Sequence, residues 1–142
     1  MSLWILEDNE ERRIAMQSCL DKRFPKLNVH FSIAADQFIE IAGKGLEEGD
    51  VVSLDHDLED VITEDGGRID AGTGRHAADF LATREPTGPV MVHSTNVPAA
   101  IGMEMALSEA GWITHRITPF NDIEWIHSIW IDTLNDMLNE KN

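Results

Sequence analysis

The chain has no tyrosine and only one cysteine, Cys19. One cysteine closes no internal disulfide, which argues against the cross-linked scaffolds of small secreted domains and fits a reducing compartment. Basic residues are scarce: 11 Lys and Arg stand against 26 Asp and Glu, for a formal net charge of −15. A long nucleic-acid footprint needs many cations to neutralise phosphates, so the charge argues against one while leaving room for contact with a single phosphate group. No apolar run approaches the ~20 residues of a membrane-spanning helix. The opening Met1-Ser2-Leu3-Trp4 places no basic stretch ahead of an apolar one, unlike a signal peptide. These absences predict a cytoplasmic protein with no membrane partner.

What is present is a chain of 142 residues, 42% of them hydrophobic, enough for one domain spanning 1–142 with one substantial core. Short β-rich runs alternate with helix-period stretches. Strands are predicted at residues 3–6, 29–33, 51–54, 89–92 and 112–117. Helices are predicted at 9–24, 34–44, 74–84, 98–110 and 122–138. Pro25 ends the first, Gly43 and Gly45 close the second, and Asn96 and Asn121 cap the last two. The third strand is uniformly apolar, as in a sheet covered on both faces. Five βα units in succession imply an α/β fold: a doubly wound, five-stranded parallel sheet with helices on both faces. An acidic loop at about 58–73 interrupts the alternation, and loops of that length in compact domains tend to be functional. Trp125, Ile126, Ile129, Trp130 and Met137 make the last helix apolar over more than one face. Core burial is the default for that helix, with a homodimer surface as the alternative.

In doubly wound sheets the ligand site lies beyond the carboxyl ends of the strands. Glu7 and Asp8 follow the first strand here, and Asp55, His56 and Asp57 follow the third. His93, Ser94, Thr95 and Asn96 follow the fourth, and Thr118, Pro119 and Phe120 the fifth. Clustered carboxylates repel and stay ionised only if a cation relieves them. Glu7, Asp8, Asp55 and Asp57 would supply hard oxygen ligands suited to magnesium or manganese, and the histidines widen the choice to zinc or iron. His93 reads as a metal ligand, a general acid/base or a phosphate contact, or else as a hydrogen-bonded structural histidine. Ser94, Thr95 and Asn96 precede a helix N-terminus, whose free N–H groups favour phosphate, although capping by Asn96 explains part of the run. Arg68 and Arg75 are the cations expected near a phosphate. His30, His115 and His127 read as structural or exposed, while His76, near the start of the third helix, is a weaker site candidate.

These residues resemble the receiver domain of two-component response regulators, a flavodoxin-like topology, over nearly the whole chain. Glu7-Asp8 is similar to its acidic pair, Asp55 in Asp50-Val51-Val52-Ser53-Leu54-Asp55 to its phospho-accepting aspartate, and Thr118-Pro119-Phe120 to its Lys-Pro-Phe turn. The lysine of that turn contacts the phosphoryl group, and its replacement by Thr118 argues against ordinary phosphorelay signalling. The segments Leu54-Asp55-His56-Asp57-Leu58 and Val92-His93-Ser94-Thr95-Asn96 resemble the signatures of a narrower group, the cyclic-phosphate processing receiver-like domains. That resemblance implies a small phosphate-bearing substrate, a cyclic-phosphate end of a nucleotide or RNA. It also implies a metal-dependent phosphoesterase-like reaction. Asp8, Asp55, Asp57 and Glu7 would hold the metal, His93, His56 and Asp55 would carry the chemistry, and Ser94, Thr95, Asn96 and Thr118 would meet the phosphate. The alternative is an atypical or pseudo-receiver signalling module in which Asp55 is the phospho-acceptor or its vestige.

Overall fold

The computed structural model describes residues 1–140. Five strands, β1 (Ser2–Leu6), β2 (Asn28–Ser32), β3 (Val51–Leu54), β6 (Val90–His93) and β7 (Thr114–Ile117), form one parallel sheet in the order β2-β1-β3-β6-β7. Chain direction across the sheet reverses between β1 and β3, the switch point of a flavodoxin-like fold. The expected doubly wound α/β sheet is thus what forms.

Alternation along β1 explains the two cores. Leu3 and Ile5 face one side, where they meet helix α1 (Glu10–Arg23) and the last helix, α5 (Ile131–Asn139). Trp4 and Leu6 face the other, against α2 (Ala35–Gly45), α3 (Gly74–Ala82) and α4 (Val97–Glu109). Both faces are apolar because both are covered. Asp50, at the start of β3, is buried but accepts from Ser2 N (2.8 Å), Glu47 N (2.9 Å) and Trp4 Nε1 (3.0 Å), which ties β3 to β1.

Three local expectations are corrected. The acidic loop is not structureless: β4 (Val61–Ile62) and β5 (Arg68–Ile69) pair antiparallel around a turn in which Asp65 accepts from Gly67 N at 3.1 Å. Two-residue strands are too short to show a period. Gly45 is the last residue of α2, as expected, and a Cβ there would fall 2.6 Å from the Trp4 ring, so glycine also makes room for the indole. The last strand starts at Thr114 rather than at Trp112, which packs into the core with Nε1 donating to Leu81 O at 3.0 Å.

The last helix also begins differently. Asn121 and Asp122 adopt left-handed backbone (φ 47° and 54°), so Asn121 forms a turn rather than a cap. Residues Ile126–Trp130 are then wound as a π-helical turn. Side chains five apart lie about 140° apart on an α-helix. The wider π-turn brings them nearer one face, and Trp125 and Trp130 are both fully buried. Trp125, Ile126, Trp130 and Met137 are core residues, and among the described residues no large apolar side chain of this helix is exposed.

Candidate metal and phosphate site

The end of β1 presents Glu7 and Asp8, and the end of β3 presents Asp55, one on each side of the switch point. Parallel pairing in register holds them level, with Asp55 N donating to Leu6 O at 2.9 Å. One oxygen from each of Glu7, Asp8 and Asp55 lies within 4.8 Å of the others. Glycine at position 74 is required for this arrangement. The start of α3 packs so closely on the end of β3 that a Cβ on Gly74 would lie 1.9 Å from the Asp55 carbonyl oxygen.

Glu7 is wholly buried and fully engaged. Its Oε2 accepts from Asn9 N at 3.1 Å, and its Oε1 lies 3.1 Å from His93 Nε2. The other ring nitrogen of His93, Nδ1, lies 2.7 Å from Ser53 Oγ, which also accepts from Trp130 Nε1 at 3.1 Å. A carboxylate can only accept, so Nε2–H of His93 donates to Glu7. Burial pushes the Glu7 carboxyl up, but the hydrogen bonds of His93 and Asn9 N together with the charges of His93 and Arg12 outweigh it, and the net direction is down. Asp55 is pushed up to about 8, by burial first and then by the negative charge of Glu7; its Oδ1 accepts from His56 N at 2.8 Å. Asp8 is raised too, chiefly by burial, while its Oδ2 accepts from Glu59 N at 2.7 Å. Three carboxylates this close do not all ionise readily, and the upward shift falls on Asp55 and Asp8.

Asp57 stands apart from the trio. Its side chain is mostly exposed and accepts from His56 Nδ1 at 2.6 Å, the interaction that chiefly holds its carboxyl low. Asn96 Nδ2 reaches the same oxygen at 3.4 Å. Ser94 is buried and accepts from Asn96 N at 3.0 Å, while Asn96 Oδ1 caps α4 at Ala99 N (3.2 Å). Thr95 and Thr118 are exposed. A cavity of 290 Å³ opens over the cluster, lined by Asp8, Asn9, Arg12, Asp55, Asp57, Leu58 and Glu59. The expected phosphate residues Ser94, Thr95, Asn96 and Thr118 are not in that lining.

Arg12 is the site residue that sequence reasoning missed. Its Nη1 lies 3.7 Å from Glu7 Oε1 and 4.0 Å from Asp55 Oδ2, and its guanidinium lies over Trp125 at 5.6 Å from the ring centroid. The available signal was its place in the first turn of the helix that follows the acidic pair. The arginines expected instead are elsewhere: Arg68 is exposed on the hairpin, and Arg75 pairs with Asp79 at 2.8 Å. The remaining histidines have local partners: His76 Nδ1 accepts from Thr73 N, His30 stacks on Trp4, His115 meets Glu140 and His127 meets Cys19.

A family model described as the cyclic-phosphate processing receiver domain matches residues 5–109. No curated protein matches the chain. Among solved structures, the phosphorylated cyanobacterial phytochrome response regulator RcpA superposes with a TM-score of 0.72 at 15% identity, covering 99% of this chain and 96% of that one. The response regulator domain of Thermotoga maritima CheB superposes with a TM-score of 0.67 at 16% identity, covering 100% of this chain and 98% of that one. At such identity these neighbours speak for the fold alone.

Proposed function

The chain belongs to the cyclic-phosphate processing receiver family, and from that premise we propose that it is a metal-dependent phosphoesterase-like enzyme that opens a cyclic phosphate on a nucleotide or RNA end. The observation that carries this reading is the convergence of Glu7, Asp8 and Asp55 at the switch point, beneath a cavity of substrate size. The trio fits a hard divalent cation, magnesium or manganese: every donor is a carboxylate oxygen, and the crowding of Glu7 on buried Asp55, which raises the Asp55 carboxyl, is what a cation would relieve. A bound cation would supply Lewis acidity toward a phosphoryl oxygen.

The chain's own residues divide the remaining work. His93 and Ser53 hold Glu7 in place from below, in the manner of outer partners that orient a ligand. His93 is sealed from the cavity with both ring nitrogens engaged, so its role is positioning. His56 is the better general acid/base: Asp57 fixes its Nδ1, which leaves Nε2 to exchange a proton. In the reaction, water adds to phosphorus and one ester P–O bond breaks. The proton lost by the water passes through His56 to the departing sugar oxygen.

The test is incubation with adenosine 2′,3′-cyclic phosphate and magnesium or manganese, followed by chromatography of the nucleotides. Conversion to a monophosphate, lost in Asp55→Ala and reduced in His56→Ala, supports the reading. An unchanged substrate, with a control phosphodiesterase active in the same buffer, removes it. A second reading rests on the position of Asp55 at the end of β3, where Arg12 lies 4.0 Å away: a signalling module with Asp55 as phospho-acceptor. A mass increase on Asp55 after treatment with a small phosphodonor and magnesium would favour that second reading.

A further inference from the structure

We propose that Arg12 is the anion-binding residue of the site and grips the phosphate of a nucleotide through its guanidinium. The inference rests on the reading of the site as one for nucleotide phosphate and names the group that receives it.

Charge comes first. The cavity is lined by four carboxylates, from Asp8, Asp55, Asp57 and Glu59, and Arg12 is the only basic residue among the lining. A phosphate entering such a cavity is repelled unless positive charge is placed against it. Thr118 carries none.

Bonding state comes second. The ion-pair distances of Arg12, 3.7 Å to Glu7 and 4.0 Å to Asp55, are beyond the 2.7–3.2 Å range of N–H···O hydrogen bonds. Among the described residues, the guanidinium donates no hydrogen bond, although the side chain is only 28% exposed. Five donors in a fixed fork are therefore held at the cavity wall with no acceptor in bonding range, a geometry that matches phosphate. Trp125 backs the guanidinium at 5.6 Å from its ring centroid, and Trp125 is itself held by Nε1 donating to Asp122 O at 2.8 Å. The arginine is thus positioned in advance.

Charge balance comes third. Glu7, Asp8 and Asp55 ionised carry three negative charges, and Asp57 and Glu59 add two more at the cavity wall. One divalent cation leaves the site negative, so the positive charge of Arg12 is what lessens the repulsion of an incoming anion.

Calorimetry decides the matter, with adenosine 3′-monophosphate as a probe that carries no cyclic bond to open. Manganese affinity is measured first, then nucleotide affinity with and without manganese, on the wild type, Arg12→Gln and Arg12→Lys. Arg12→Gln keeps part of the stem over Trp125, and circular dichroism checks that it folds. The expected result is a loss of nucleotide affinity of about ten- to a hundred-fold in Arg12→Gln, the range for a charge-assisted hydrogen bond. Recovery in Arg12→Lys should be only partial. Manganese affinity should hold or rise, because a positive charge beside the ligands has gone; a merely structural role would weaken both. Equal nucleotide affinity in the wild type and Arg12→Gln overturns this inference and leaves the proposed function standing. A wild type that takes up manganese but no nucleotide in either condition overturns both.

Discussion

His93 Nε2 lies 3.1 Å from Glu7 Oε1, and both side chains are fully buried. A carboxylate so deep needs its donors. His93→Ala should therefore cost about 3 kcal/mol or more of stability, from the orphaned carboxylate and the cavity together. His93→Gln, which can keep a donor toward Glu7, should recover part of the loss. Urea unfolding of both variants checks this; a loss in His93→Ala below about 1 kcal/mol, the scale of an ordinary hydrogen bond, would contradict it.

The protonation of Asp55 makes stability depend on pH. Its folded-state value, about 8, lies above the ordinary 3.8, so the folded chain binds the extra proton. The associated stability is fully present below pH 3.8 and is lost as pH rises through about 8. Asp8, also raised, acts in the same sense. The melting temperature without metal should therefore fall as pH is raised from about 5 to 8. Asp55→Asn should flatten that slope. Manganese should raise the melting temperature most at the upper end, where cation and proton compete least, and should lose most of that effect in Asp55→Asn.

Asp57 and Asp8 should separate in function. Asp57 is bonded to His56 and lies outside the carboxylate trio. Asp57→Asn should leave manganese affinity near that of the wild type while lowering turnover of a cyclic phosphate. Asp8→Asn should lose the metal. Removing the base itself, in His56→Ala, should cost turnover about 100-fold or more. Calorimetry beside a turnover assay distinguishes the two aspartates; equal loss of metal in both would make Asp57 a ligand.

Gly74→Ala tests the joint between α3 and β3. The new Cβ would stand 1.9 Å from the Asp55 carbonyl oxygen, a backbone atom that cannot swing aside. Destabilisation of about 3 kcal/mol or more is expected, with weakened manganese binding because Asp55 must shift. Gly49→Ala, where the added Cβ has open space but φ is +94°, serves as a control for simple backbone strain.

Much of this was legible in the chain. Strands bounded by turn residues and helices with a clear stripe implied the sheet, and the rule for strand ends led to Glu7, Asp8 and Asp55. The rest depended on contacts between distant segments. His93 ends a strand, and strand position alone does not say whether a side chain turns into the core or out to solvent. The Ser53 hydroxyl and the Trp130 indole, which hold it inward, come from elements far along the chain. Arg12 escaped notice because a helix face is assigned only when its neighbours are known, and its neighbour is Trp125. The hairpin of the acidic loop was hidden by the shortness of its strands.

The line of hydrogen bonds from Trp130 through Ser53 and His93 to Glu7 reaches past the segment matched by the family model, which ends at residue 109. The acidic site is therefore braced by a part of the chain outside the matched segment. A change in the last helix can in that way loosen the support of the buried Glu7 without altering a single acid of the cluster.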